Sequence, residues 1–347
     1  MQEIKAQRNQ TVDIVRGVAM LLVVLGHTMT GCTRNSQSSF LFDIVWSLQM
    51  PLFIIISGYV TKYSCEIHTV VDWLKFLKKR TISYMFPWLV WTFAIRGLLL
   101  NQKSYLNLRY ILWNMDSGYW FLATIWTISL IFGTAQLLSN ILDRRSRIPS
   151  WLKIGGFLLL GMLALVVLGK FTGYSFFCIK LTLYYIPFYF IGYFYSQFQE
   201  KIRMRWNLAD EVIPAVSLGI WIAIMVRFEL FALPDSVGGI TLRVAASVLG
   251  CCGVIGLLSR LSDQSNSIET RTHKILSWFG RYSLEVYLLH YLLINLILTD
   301  TRSDFGTAQG IILTFGNYIL SLIIVTAIIT LLNRNRALKF ALFGKRT

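Results

Sequence analysis

The feature that most constrains this chain is a succession of about ten apolar runs, at 13–30, 41–61, 81–100, 119–139, 151–169, 178–198, 211–231, 239–259, 276–299 and 308–332. Each is close to the ~20 residues a helix needs to cross a hydrocarbon core of ~30 Å. Inside a bilayer no water can satisfy backbone N–H and C=O groups, so such runs must be helical. The expected fold is all-α: a polytopic membrane bundle of about ten transmembrane helices in one domain over 1–347, with tails at 1–12 and 333–347. With 55% hydrophobic and 14% charged residues, a soluble domain of 347 residues could not hide the apolar surface. The first run carries Asp13 and Arg16 and leads straight into more apolar sequence, so it is expected to be a retained helix and not a secretory signal.

A net charge of +16 would suit nucleic acid, but no soluble domain is available to present it, and nucleic acid is set aside as a partner. The charges instead sort by side of the membrane, because Lys and Arg are retained in short cytoplasmic connections. With the N-terminus inside, 22 of the 33 basic residues fall in cytoplasmic segments and five (Arg34, Lys103, Arg109, Lys170 and Arg302) in outer loops. That asymmetry calls for an even number of spans and for both termini in the cytoplasm. The longest cytoplasmic connection, 65–80, alternates apolar residues with Lys75, Lys78 and Lys79 and is expected to form a helix in the headgroup plane. Cys32, Cys65, Cys178, Cys251 and Cys252 form no CxxC pair and are read as packing residues; neither a disulfide framework nor a metal is expected.

Six basic residues remain inside spans: Arg16, Arg96, Lys180, Arg227, Arg243 and Arg281. A charge there costs about 2.5–3.5 kcal/mol on insertion scales. Arg96, Lys180, Arg227 and Arg243 lie near outer span ends, where each alone is read as snorkelling to the interface; together they could line a cavity attracting an anionic or polyhydroxyl substrate. On the first helix, Arg16 and His27 are eleven residues apart, which is three turns plus about 20°, so they share one face about 16 Å apart along the axis. Asp13, one turn before Arg16, can pair with it. His27 has no nearby acid and can serve as a neutral base or as a helix-to-helix hydrogen bond. The ninth run repeats the arrangement, with Arg281 and Glu285 near the cytoplasmic face and His290 deeper.

At these residues the sequence resembles the acyltransferase-3 family of membrane O-acyltransferases. The likeness is carried by Asp13-Ile14-Val15-Arg16-Gly17 with Val24-Leu25-Gly26-His27, and by Met50-Pro51-Leu52-Phe53-Ile54-Ile55-Ile56-Ser57-Gly58-Tyr59. Lys78-Lys79-Arg80 with Pro87 and Tyr119-Trp120-Phe121-Leu122 follow, and the last segment runs from Gly280 through Arg281-Tyr282-Ser283-Leu284-Glu285 to His290. Short strings of this kind are common in apolar sequence, and the ordered set is what makes the likeness specific.

The resemblance implies a cytoplasmic acyl-CoA donor, usually acetyl-CoA, and a hydroxyl acceptor on a cell-envelope or exported glycan, with the chain in a bacterial cytoplasmic membrane. Some relatives add an extra-cytoplasmic hydrolase-like domain; here the sequence ends about fifteen residues after its last apolar run, so transfer would be completed by the membrane domain or by a separate extra-cytoplasmic transferase. Under this reading His27 is the base, Arg16 holds a CoA phosphate or the developing negative charge, Asp13 orients Arg16, and His290 assists. Arg281, Glu285 and Arg80 would extend the donor site. Trp120 and Tyr119 are interfacial aromatics that can also stack on a sugar, and Ser57 is either a close-packing residue or a hydrogen-bond partner. Two other classes stay open: a proton-coupled transporter or flippase of glycan precursors, and a silent sensor or delivery module.

Overall fold

A computed structural model describes residues 9–63, 66–143, 148–205, 209–264, 271–297 and 302–345. Cys65 lies outside these segments, as do six of the 22 basic residues counted as cytoplasmic, Lys5, Arg8, Arg144, Arg145, Arg147 and Arg346. The helices in chain order are α1 (Gln10–Cys32), α2 (Phe40–Tyr59), α3 (Val70–Leu99), α4 (Leu108–Trp113), α5 (Trp120–Asp143), α6 (Ser150–Thr172) and α7 (Ile179–Arg205). They continue with α8 (Ala209–Arg227), α9 (Val237–Gln264), α10 (Arg271–Arg281), α11 (Ser283–His290), α12 (Ala308–Leu332) and α13 (Arg336–Phe343). Among the described residues, eight of these, α1, α2, α3, α5, α6, α7, α9 and α12, are long and apolar enough to cross a bilayer.

Outward faces fit that environment. On α6, Leu159, Leu160 and Leu163 are 58–67% exposed, and Ile312, Ile319 and Ile323 of α12 are similarly bare. Apolar faces of this extent are not left to water, and the chain is a multi-pass membrane protein. Cys32, Cys178 and Cys251 are buried and Cys252 is half-buried, all as free thiols.

Local chemistry sets several boundaries. The Asn9 side chain accepts the Val12 N–H at 3.3 Å and caps α1. A reciprocal Thr69–Asp72 capping box starts α3. The amphipathic stretch expected to lie apart forms Val70–Arg80 but runs unbroken into the next apolar run. Wider π turns at Thr81–Met85 and Val90–Leu99 flank Pro87, which has no N–H to contribute to a regular ladder.

Two expected spans differ in form. The run 211–231 yields the 19-residue α8, with Asp210 and Glu211 in its first turn. The run 276–299 is not one helix: Tyr282 (φ −101°, ψ 19°) separates α10 from α11, and the chain leaves helical geometry after His290. Irregular backbone within a membrane protein needs internal partners. Asn317, fully buried on α12, supplies them: its Oδ1 accepts the N–H groups of Leu296 and Ile297 at 2.7 Å each, and its Nδ2 donates to the Leu313 carbonyl at 3.0 Å.

By packing, the chain divides into two compact units, Met1–Ile56 with Phe198–Thr330 and Ser57–Gln197 with Leu331–Thr347. In the first, Asp43 of α2 is buried and accepts the Leu230 and Phe231 N–H groups at 3.0 and 3.3 Å, tying down the segment after α8. The second is built largely on aromatic contacts, such as Phe132 against Tyr193 at 4.7 Å and Trp91 against Phe343 at 6.2 Å.

Replacing Asn317 by Leu removes the acceptor of two backbone N–H groups and is expected to cost about 1–3 kcal/mol. The midpoint of thermal unfolding in detergent should fall accordingly, and Asn317→Asp, which keeps the acceptor oxygen, should lose less.

Candidate active site

In the first unit the two histidine-bearing segments come together through a backbone contact. A Cβ at Gly17 would collide with the Leu276 carbonyl, and a Cβ at Gly280 with the Asp13 carbonyl. Only glycine allows helix backbones this close. Asp13 and Gly17 are one turn apart, as are Leu276 and Gly280, so the contact is reciprocal and sets the register of α1 against α10. His27 lies ten residues past Gly17, and His290 ten residues past Gly280. The equal intervals carry both imidazoles to one level, where their ring centroids are 5.2 Å apart. That repeated interval was legible in the sequence, although without the glycine contact nothing marks it as meaningful.

Other rings complete the surroundings of His27. Tyr291 meets it edge-on at 5.8 Å and Trp46 of α2 at 6.5 Å. His27 is half-buried and His290 is 1% exposed. The Nδ1 of His290 lies 3.0 Å from the Val286 carbonyl. A carbonyl only accepts, so Nδ1 carries the proton and Nε2 carries a lone pair. Among the described residues no group hydrogen-bonds to that Nε2. An imidazole oriented through one nitrogen and open at the other is arranged as an acceptor of protons or of hydrogen bonds.

At the helix crossing, Asp13 and Glu285 are buried, at 4% and 0% exposure. Arg16 is half-buried, whereas Arg281 is exposed at the end of α10, its Nε donating to the Ser277 carbonyl at 3.4 Å. Asp13 and Arg16 thus lie on α1, and Arg281 and Glu285 on the two helices, α10 and α11, that pack against it. The far end of α1 is strapped to the segment before α12: Arg34 N–H bonds the Ser303 carbonyl and Phe305 N–H the Arg34 carbonyl, each at 3.0 Å. In that loop the Gly306 N–H, and then the Asn35 amide, hold the Asp304 carboxyl below its ordinary pKa.

The remaining candidates are spread over both units. In the first, Arg227 is exposed at the end of α8 over the Phe228 ring, and Arg243 is buried against Asp235 at 2.6 Å. In the second, Arg96 is buried over the Tyr105 ring at 3.9 Å, with Tyr119 at 6.0 Å and its Nε on Gln102 at 3.0 Å, while Lys180 is exposed. Trp120 stacks on Tyr185 at 5.4 Å. The Ser57 carbonyl accepts the Thr61 hydroxyl, and a Cβ at neighbouring Gly58 would strike the Tyr189 carbonyl, so this part of α2 is a packing face. Arg80 lies over Phe76 and Tyr84, and its Nη1 donates to the Tyr84 hydroxyl at 3.2 Å.

Residues 9–334 match the acyltransferase-3 family, described as an acyltransferase domain. The chain belongs to this family. The match runs from the cap of α1 to just past α12 and takes in both histidine segments. The chain is also similar to nodulation protein NolL of Sinorhizobium fredii (strain NBRC 101917 / NGR234), at 25% identity over 185 residues, covering 50% of this chain and 48% of that protein. The chain thus spans about half the length of this relative. No solved structure matches.

Sequence reasoning passed over Trp46, Gln49 and Tyr291, which surround or adjoin the His27 position. Uncharged polar and aromatic residues are inexpensive in a span, so they send no alarm in a hydropathy reading. The spacing of Trp46 and Gln49, three residues apart on one face of α2, was the available signal.

A methyl group at the crossing should be costly, since it would be driven into backbone and not into a movable side chain. Gly280→Ala is expected to destabilise by about 1–3 kcal/mol and to depress activity by disturbing the approach of His290 to His27, read by thermal unfolding beside an acyl-transfer assay.

Proposed function

We propose that this protein transfers an acyl group, acetyl in the simplest case, from cytoplasmic acyl-CoA to a hydroxyl of a cell-envelope or exported glycan. The observation that carries the reading is the pair of imidazoles, 5.2 Å apart, contributed by the two family segments that the Gly17–Gly280 contact holds in register. Esterification requires a hydroxyl proton to be taken as the oxygen attacks the acyl carbon. His27, half-buried and flanked by rings, is the base in this reading, and His290 accepts a hydrogen bond from the incoming acceptor through its open Nε2.

The new C–O bond forms as the thioester C–S bond breaks, and the imidazolium returns its proton to the departing CoA thiolate. Arg16, near the other end of α1 and about 16 Å away along the axis, suits the donor: a guanidinium offers a planar fork to a phosphate. Asp13 orients it, and Arg281 and Glu285 are assigned to the same donor side. Within the same unit, Arg227 is assigned to the acceptor. The excess of Lys and Arg in one set of loops supports cytoplasmic termini and a site in the bacterial cytoplasmic membrane. The alternative to completion by this membrane domain is a separate extra-cytoplasmic transferase that would pass the acyl group on to an exported glycan.

Purified protein incubated with radiolabelled acetyl-CoA and an envelope glycan fraction should move label to the glycan, which a transporter would not do. Alanine at His27 is expected to lower the rate by about 10²–10⁴-fold with normal membrane insertion, and Arg16→Ala should chiefly raise the KM for acetyl-CoA. A well-inserted His27→Ala protein with full activity would remove the base assignment.

A further inference from the structure

Gln49 sits on α2 at 5% exposure, and its Oε1 has no hydrogen-bond partner among the described residues. Leaving a buried amide oxygen unmet costs stability that an apolar isostere would not. Its location is informative. A Cβ at Gly26, the residue just before His27, would stand 2.9 Å from this oxygen and 2.6 Å from the Trp46 ring. The missing side chain at Gly26 is therefore what admits the Gln49 amide and the indole beside α1. The indole is itself fixed, stacked on Phe42 at 3.9 Å with its edge toward His27.

Two buried lone-pair acceptors thus lie close to His27 in the fold: Gln49 Oε1 on α2, against Gly26 one residue before it, and the Nε2 of His290 on α11, whose ring centroid is 5.2 Å from that of His27. Both ask for donors. A thioester brings only a carbonyl acceptor to this place, and a simple alcohol brings one O–H. A polyhydroxyl acceptor brings two or more. We propose that Gln49 is a specificity-determining residue that accepts a hydrogen bond from a second hydroxyl of the acceptor while His27 takes the proton of the hydroxyl to be acylated, with Trp46 as the wall beside it. This rests on the acyl-transfer reading above and requires of its acceptor at least two hydroxyls, as a sugar has.

The test uses the full chain in detergent, with radiolabelled acetyl-CoA and the envelope glycan fraction of cells lacking the protein. Gln49→Met keeps the volume without the acceptor oxygen, and Gln49→Glu keeps an acceptor oxygen. Gln49→Met should raise the KM for glycan by about tenfold, the worth of one hydrogen bond. The KM for acetyl-CoA and the rate of acetyl-CoA hydrolysis without glycan should stay unchanged, Gln49→Glu should recover most of the loss, and the unfolding midpoint of Gln49→Met should not fall below that of the native protein. Should Gln49→Met fail to fold, Gln49→Ala must show the same selective rise. An unchanged glycan KM, or equal losses toward both substrates, overturns the role of Gln49 while leaving acyl transfer intact. Absence of any transfer by the native protein overturns the acyl-transfer reading and this inference with it.

Discussion

The first unit is organised by the contact of two backbones, Gly17 against the Leu276 carbonyl and Gly280 against the Asp13 carbonyl. No hydrophobic driving force separates helix–helix from helix–lipid contact inside a bilayer, so close packing of this kind is what can specify register there. Once register is set, positions further along both helices are determined by the rise per residue. The ten-residue interval from each glycine to each histidine turns a packing device into a functional one, and the break at Tyr282 does not disturb the meeting of the rings.

Polar groups elsewhere in the unit follow the economics of a low-dielectric interior. Asn317 satisfies the backbone where the chain leaves α11, Asp43 satisfies the segment after α8, and Asp235 neutralises Arg243. Each pairing removes a penalty that the bilayer would otherwise impose. Gln49 Oε1, against Gly26, and the Nε2 of His290, whose ring neighbours that of His27, are among the buried polar atoms that meet no partner among the described residues.

The cations of the spans separate on inspection into different physical roles. A charge count assigned Arg96, Lys180, Arg227 and Arg243 to one outward level. Arg243 is already paired and Arg96 lies on an aromatic face, whereas Lys180 and Arg227 are exposed. Position along a span carries no information about which neighbour meets a side chain, because neighbours come from helices distant in sequence.

The sequence by itself determined the helical membrane class, since runs of about 20 apolar residues leave a backbone no other way to satisfy its hydrogen bonds in lipid. It also carried the family resemblance, through ordered segments that include Arg16, His27, Arg281, Glu285 and His290. Only the tertiary structure decided that the run at 276–299 breaks at Tyr282 and unwinds after His290, because its cost is met by Asn317, a residue of another helix. It alone brought the two imidazoles together and set Trp46, Gln49 and Tyr291 near them. Periodicity reports which face of a helix a residue occupies; what that face touches depends on glycine-mediated approach between segments more than 200 residues apart.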